Sequence, residues 1–219
     1  MENTSFTPTA RTTLKRLPQR GTYDRAAVHA ILDEGLLCHV GFVADGQPFV
    51  IPTTYGRIGD RLYLHGAVAS RMLSMLRLGA PACVEVTLLD ALVLARSAFH
   101  HSMNFRSVVI LGVAQEVLDP AEKLRALEAI VEHIVPGRLA ETRGPSPQEV
   151  AGTRVLWMPI EEASAKVRTG PPLDSEDDHA LPHWAGVLPL AMTPGTPVPD
   201  PLLRADITVP PAVARYRRV

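Results

Sequence analysis

Polar side chains that could bind a ligand are concentrated between two apolar runs in the middle of the chain. The runs are ALVLA at 91–95 and VVILGVA at 108–114, and both are typical of buried β-strands. The polar residues between them are His100, His101, Ser102, Asn104, Arg106 and Ser107. Their donors and acceptors need partners. A solvated loop with internal hydrogen bonds would satisfy them, and so would a polar ligand, and the stretch alone leaves both interpretations open.

A second candidate lies where a strand runs into a helix, at His65 to Arg71. The first turn of a helix offers free N–H groups and the positive end of the helix dipole. Ser70 adds a hydroxyl and Arg71 a forked cation, and together these groups suit a phosphate. Serine and arginine are common near helix starts, so a purely structural role remains an alternative.

Metal binding and nucleophilic catalysis receive little support. His100 and His101 are adjacent, and neighbouring residues of a strand point to opposite faces. Cys38 and Cys83 lack metal-type spacing and are expected to be buried free thiols. These spacings give no reason to expect a metal site. No pair of nucleophile and base can be recognised from spacing alone, so the catalytic residues are unknown.

The elements that must position these residues follow from periodicity and turn signals. Helices are predicted over 22–35, 67–78 and from Asp119-Pro120 to about 135. Strands are predicted at 36–43, 49–55, 61–65, 81–89, 92–96 (after a turn near Asp90), from the polar junction to about 118, at 154–160 and at 164–168. Short links favour antiparallel neighbours. The prediction is a mainly antiparallel β-barrel with flanking helices.

Three segments are expected along the chain. Residues 1–21 form an N-terminal arm, residues 22–169 the barrel domain, and residues 170–219 an extended arm that lies over the core or over a partner subunit. The last segment holds ten of the twenty prolines. Its tryptophan and its apolar residues at 187–190 argue against simple disorder.

Composition narrows the function classes. The net charge is −1 and no long basic run occurs, so nucleic-acid binding has no electrostatic support. The longest apolar runs have the length of strands, not of membrane spans. The N-terminal residues lack the apolar core of a secretory signal. A cytoplasmic protein with a hydrophobic core, 46% hydrophobic in composition, is expected.

Four motifs together resemble the pyridoxamine 5′-phosphate oxidase-like split-barrel family, and most closely its branch of nitroimidazole-resistance proteins. They are LHGAVASRML at 64–73, LVLARSAFHHSMNFRSVVI at 92–110, KVRTGPP at 166–172 and WAGVLPL at 184–190. The resemblance extends from about Leu14 to Pro172. It implies an FMN-binding split barrel that forms a homodimer, with flavin sites at the subunit interface.

The resemblance also implies a set of flavin-binding residues. Ser70 and Arg71 would hold the phosphate, and His65 and Gly66 would flank the ribityl chain. The isoalloxazine would lie along Val50, Ile51, Pro52, Thr53 and Thr54. Further flavin or interface contacts would come from His100, His101, Ser102, Asn104, Arg106 and Ser107, and from Lys166 and Arg168. Met72 stands where the oxidases carry a lysine, which gives Arg71 more weight. The residues that hold the substrate phosphate in the oxidases have no clear match either, and both departures argue against pyridoxamine-phosphate oxidation.

The function implied is an FMN-dependent oxidoreductase that acts on a small electron acceptor. Chemistry of this kind belongs mainly to the flavin, which the protein positions. Two alternatives remain: a flavin-binding protein for storage or sensing that turns over inefficiently, and the same barrel with a deazaflavin or a haem. The sequence names neither the substrate nor the electron donor.

Overall fold

The computed structural model describes residues 4–217 and is mainly antiparallel β with flanking helices, which confirms the predicted class. Its contacts divide the chain into two compact units. The first unit comprises the residues up to Gly35, Glu85–Ile110 and Glu162–Met192. The second comprises Leu36–Val84, Leu111–Glu161 and the residues from Thr193 onward. The first three residues of the predicted N-terminal arm and the last two of the C-terminal arm lie outside the described part.

Strands outnumber helices in both units. The strands are β1 Gly21–Thr22, β2 Cys38–Ala44, β3 Gln47–Thr53, β4 Tyr55–Ile58, β5 Arg61–Ala67, β6 Pro81–Leu94, β7 Ser102–Val113, β8 Gln115–Glu116, β9 Thr153–Pro159, β10 Glu162–Arg168 and β11 Gly186–Pro189. The helices are α1 Arg25–Glu34, α2 Arg71–Arg77, α3 Pro120–Ile134, α4 Pro147–Gly152 and α5 Pro211–Ala214. Within residues 4–217, no helix has the length and apolarity needed to cross a membrane.

The first unit is built on strands in the order β1-β10-β7-β6. Strand β11 pairs antiparallel with the second half of β6, where Gly186 is opposite Leu94. The proline-rich segment therefore contributes an ordered strand, because its short apolar stretch completes a sheet edge. Helix α1 begins at the N-cap Asp24, whose carboxylate accepts a hydrogen bond from the Ala27 N–H at 2.8 Å.

The second unit holds the hairpin β2–β3 and a four-stranded sheet in the order β4-β5-β9-β8. The hairpin turns at Asp45 and Gly46, which both have positive φ, at 50° and 75°. Two positive φ angles are what a tight hairpin turn requires. The antiparallel pairing of β2 with β3 confirms the short link predicted between the strands at 36–43 and 49–55.

Helix α3 packs on the four-stranded sheet. Its Ala126 and Ile130 are buried against Tyr63 of β5 and Val155 of β9. A Cβ at Gly56 in β4 would lie only 2.9 Å from Cγ1 and 3.0 Å from the backbone nitrogen of Ile130. Glycine at that position therefore lets the helix backbone approach the strand directly. The predicted start of α3 is confirmed, since the Asp119 carboxylate accepts from the N–H groups of the first turn.

One predicted break in the sheet is wrong. The sequence favoured two strands with a turn near Asp90, whereas β6 runs without interruption from Pro81 to Leu94. Buried positions fall on even numbers up to Val86 and on odd numbers from Ala91, and this change of phase resembles a turn in the sequence. Asp90 stays in the ladder because its carbonyl oxygen accepts from the Leu190 N–H at 2.9 Å.

Candidate functional site

The predicted phosphate-binding turn lies beside the predicted flavin-binding strand in the second unit. The guanidinium carbon of Arg71 is 4.2 Å from the ring centroid of Phe49 in β3. Ser70 is the N-cap of α2, and its hydroxyl oxygen accepts from the Leu73 N–H at 3.4 Å. Helix α2 starts later than predicted, because β5 continues to Ala67. Arg71 remains exposed, so its cation is free to meet an anion.

Strand β3 presents the residues expected along the isoalloxazine. It is an edge strand, and Val50 is 65% exposed. Pro52 is also exposed, while Ile51, Thr53 and Thr54 are half-buried. A proline suits an edge strand because it has no N–H to donate to a neighbour. The strand thus offers an open, partly apolar surface next to the Arg71 cation.

Arg154 of β9 holds this turn in place, and the sequence did not identify it. Its guanidinium donates to the Val68 carbonyl oxygen at 2.7 Å and to the Ser74 hydroxyl at 3.1 Å. Gly66 leaves space for α2, since a Cβ there would be 3.1 Å from Leu73 Cδ1. Arg154 and its partners are far apart in sequence, and no local pattern connects them.

His65 of β5 lines a cavity of about 540 Å³ in the second unit. Apolar side chains of α3 and of the segment that follows it form much of the wall. The lining residues are Thr54, His65, Leu127, Glu128, Ile130, Val131, Ile134, Leu139, Thr142, Arg143, Gly144, Pro145, Glu149 and Thr153. Within residues 4–217, the buried Nδ1 of His65 has no hydrogen-bond partner. Burial lowers the pKa of His65 below the usual 6.5, which keeps the imidazole neutral.

The remaining predicted residues lie in the first unit, where Asn104 of β7 and Arg168 of β10 form a buried pair. Arg168 donates to the Asn104 side-chain oxygen, and the Asn104 amide donates to the Gly170 carbonyl at 3.2 Å. Burial, and then the charge of Arg20, lowers the pKa of Arg168. Only 7% of Asn104 and 4% of Arg168 are exposed. These contacts hold the start of the C-terminal segment at Gly170, which favours a structural role for Asn104 and Arg168. Their predicted contacts with a flavin stay predictions.

Arg106 joins two acidic side chains. Its guanidinium donates to the Asp90 carboxylate at 2.7 Å and to the Glu34 carboxylate at the end of α1. Hydrogen bonds to Glu34, and then to Asp90, raise the pKa of Arg106, so the group stays charged. Arg106 was predicted as a flavin or interface contact, and in the structure its partners are the carboxylates of Glu34 and Asp90.

The other residues of the polar junction make local contacts. The His101 ring lies 3.1 Å from the Ser97 carbonyl oxygen, and Ser107 donates to the Lys166 carbonyl oxygen at 3.5 Å. Ser102 is exposed at the start of β7. His100 has a ring nitrogen within 4.8 Å of carboxylate oxygens of Asp174 and Asp178, a grouping that spacing did not indicate. Asp174 also accepts from Arg96, and this ion pair accounts for its position.

Comparison with known proteins identifies the family. The family model for pyridoxamine 5′-phosphate oxidase matches residues 24–167, about two thirds of the chain. The chain belongs to the pyridoxamine 5′-phosphate oxidase-like family. The matched segment extends from α1 into β10 and includes every predicted site residue except Arg168. No curated protein matches the chain.

Solved structures resemble the chain over two thirds of its length or more. The flavocytochrome Anf3 from Azotobacter vinelandii is 43% identical with a TM-score of 0.90, and the match covers 97% of this chain and 99% of that one. An FAD and heme binding protein from Mycobacterium smegmatis is 37% identical with a TM-score of 0.85, over 89% and 96% of the two chains. A Bacteroides thetaiotaomicron VPI-5482 protein assigned to 5-nitroimidazole antibiotic resistance is 25% identical with a TM-score of 0.58, over 67% and 86%.

The Arg106 network predicts a loss of stability on mutation. Arg106→Leu would leave two carboxylates facing each other, with side chains between 28 and 31% exposed in the present network. The free energy of unfolding should fall by about 1–3 kcal/mol, a loss between those typical of surface and of buried ion pairs. Urea denaturation of the variant and of wild type measures this difference.

The control is Arg204→Leu, which breaks the well-exposed pair with Asp206 and should cost less than about 1 kcal/mol. A folded Arg106→Leu variant of wild-type stability that had lost flavin affinity would contradict the structural role and support the flavin contact.

Proposed function

We propose that this protein binds a flavin and works as an oxidoreductase on a small electron acceptor. The observation that carries the proposal is the 43% identity to a flavocytochrome over 97% of the chain. The family match over residues 24–167 supports it, because that segment contains the strand β3 and the turn before α2. A bound flavin would supply the redox chemistry, accepting electrons from a donor and passing them to the acceptor.

The role of the chain in this proposal is to hold and orient the flavin. Arg71 would bind a flavin phosphate with its exposed guanidinium, while the Phe49 ring beneath fixes the direction of that side chain. The open surface of β3, from Val50 to Thr53, would support the ring system. We favour FMN, and FAD is the alternative that the name of the Mycobacterium smegmatis protein supports.

Haem is a second group that the comparisons favour. Two similar proteins, at 43% and 37% identity, carry a cytochrome or heme in their names together with a flavin. We therefore extend the proposal to a protein that carries both a flavin and a haem. A haem would supply a one-electron centre to which the flavin could pass electrons.

The test of this function is spectroscopic and kinetic. The purified holoprotein should show flavin absorption, and chromatography of the released cofactor should identify FMN or FAD. In a stopped-flow instrument, NADH or NADPH should bleach the flavin band, and mixing with dioxygen or a nitroaromatic compound should restore it. Dithionite serves as the control reductant. Slow reduction by every biological donor would instead favour storage or sensing.

Arg71 should distinguish phosphorylated flavins from riboflavin. Hydrogen bonds to charged groups are worth roughly 1.5–3 kcal/mol, so Arg71→Ala should weaken FMN binding by about ten- to a hundredfold. Riboflavin lacks the phosphate and should respond little. Fluorescence titration of the apoprotein with both flavins measures this difference.

The matched control for Arg71 is Arg77→Ala, at the other end of the same helix, where the guanidinium is 3.7 Å from Glu116. Its effect on FMN should be small. Equal losses of FMN and riboflavin in Arg71→Ala would place the phosphate elsewhere.

We also propose that the chain is a homodimer with flavin sites at the subunit interface. Large apolar side chains are exposed on it, including Phe99 at 89% and Trp184 at 69%. Burial of such side chains against a second copy of the chain would remove apolar area from water. Sedimentation velocity at micromolar concentration should give the mass of two chains, and a flavin-loaded monomer would overturn the interface site.

A further inference from the structure

The cavity beside His65 has the chemistry of a site for a large, flat, apolar ligand. Its volume of about 540 Å³ is within the range of roughly 300–1,000 Å³ that is usual for small-molecule pockets. Four aliphatic side chains of α3 line it, namely Leu127, Ile130, Val131 and Ile134. All but Ile130 are only partly buried, so this part of the helix has apolar area left for a ligand to cover.

His65 is the one histidine that lines this cavity among the described residues. Its buried Nδ1 has no hydrogen-bond partner within residues 4–217, and a buried polar atom of this kind destabilises the protein unless a ligand satisfies it.

Charged groups are placed at the cavity as well. Arg143 lines it and donates to both carboxylate oxygens of Glu149, at 2.8 and 2.6 Å. Both side chains are at least half exposed, so this pair is held weakly. A ligand carboxylate could compete with Glu149 for the guanidinium of Arg143.

We propose that this cavity holds a haem, with the imidazole of His65 as a ligand to the iron. The aliphatic side chains of α3 would cover the macrocycle, and Arg143 would bind a propionate. This inference rests on the part of the proposed function that includes a haem, and it assigns that group to particular residues. It differs from the family resemblance, which puts His65 beside the ribityl chain of the flavin.

The experiment compares His65→Ala with wild type. Both proteins are produced with added 5-aminolevulinate, and haem and flavin contents are measured separately by the pyridine haemochrome assay and by released-flavin fluorescence. Hemin titration of both proteins should show at least about a tenfold loss of haem affinity in the variant, since even the loss of an outer partner of a metal ligand costs about that much. Flavin content should stay at the wild-type level. Added imidazole should restore a Soret band to the variant.

Two further variants keep the test decisive. His39→Ala removes an exposed histidine of β2 in the same unit and should retain both groups. Leu127→Trp fills the cavity from α3 and should exclude haem without touching the histidine, and circular dichroism checks its fold. If His65→Ala fails to fold, the Soret position and electron paramagnetic resonance of His65→Met, which can still ligate iron, replace it as the test.

The possible outcomes separate the two proposals. Wild-type protein that takes up haem, with unchanged spectra in the His65 variants, would overturn the assignment of His65 and leave the proposed function standing. Uptake of flavin without any haem, even after hemin titration, would overturn both the cavity assignment and the haem part of the function. Loss of flavin with retention of haem in His65→Ala would return His65 to the flavin site.

Discussion

The direct contact between α3 and strand β4 at Gly56 is the constraint on which the candidate cavity depends. A side chain at Gly56 would meet the backbone of α3 near Ile130, so only glycine allows this approach without displacement. With the helix so close, Ala126 and Ile130 are buried against Tyr63 and the rest of the small core. The next apolar positions along α3 are then left beside His65 of β5. A helix held farther out would separate the aliphatic wall from the imidazole.

The sequence predicted those elements whose causes are local. The start of α3 depends on Asp119 and its neighbours in the first turn, and the β2–β3 hairpin depends on two residues that adopt positive φ. Both were correct, because the interactions that decide them span only a few residues. Strand β6 was divided wrongly, since its buried face changes phase near Asp90 and periodicity alone cannot distinguish a phase change from a turn.

The candidate site was less accessible to sequence reasoning, for a physical reason. A polar residue between apolar strands needs a partner, but residue type does not show whether the partner is a ligand or another side chain. Arg106 has Glu34 and Asp90, and Arg168 has Asn104, and each of these contacts joins distant parts of the chain. Arg71 differs, because its contact is with the Phe49 ring and its charge remains exposed. Because the guanidinium of Arg71 is exposed and has no acidic partner in the described residues, it can still bind a phosphate.

Strand β5 connects the two candidate sites of the second unit. It carries His65 and Gly66 near its end and leads directly into the turn before Ser70 and Arg71. Arg154 fixes that turn through the Val68 carbonyl oxygen, and the backbone N–H of Val68 donates to Gly152 at the end of α4. The cavity wall and the phosphate-binding turn therefore share one strand end and one set of hydrogen bonds. A displacement of this strand end would move the imidazole and the Arg71 cation together, so the positions of a haem and a flavin held by these residues would be coupled through the backbone rather than set independently.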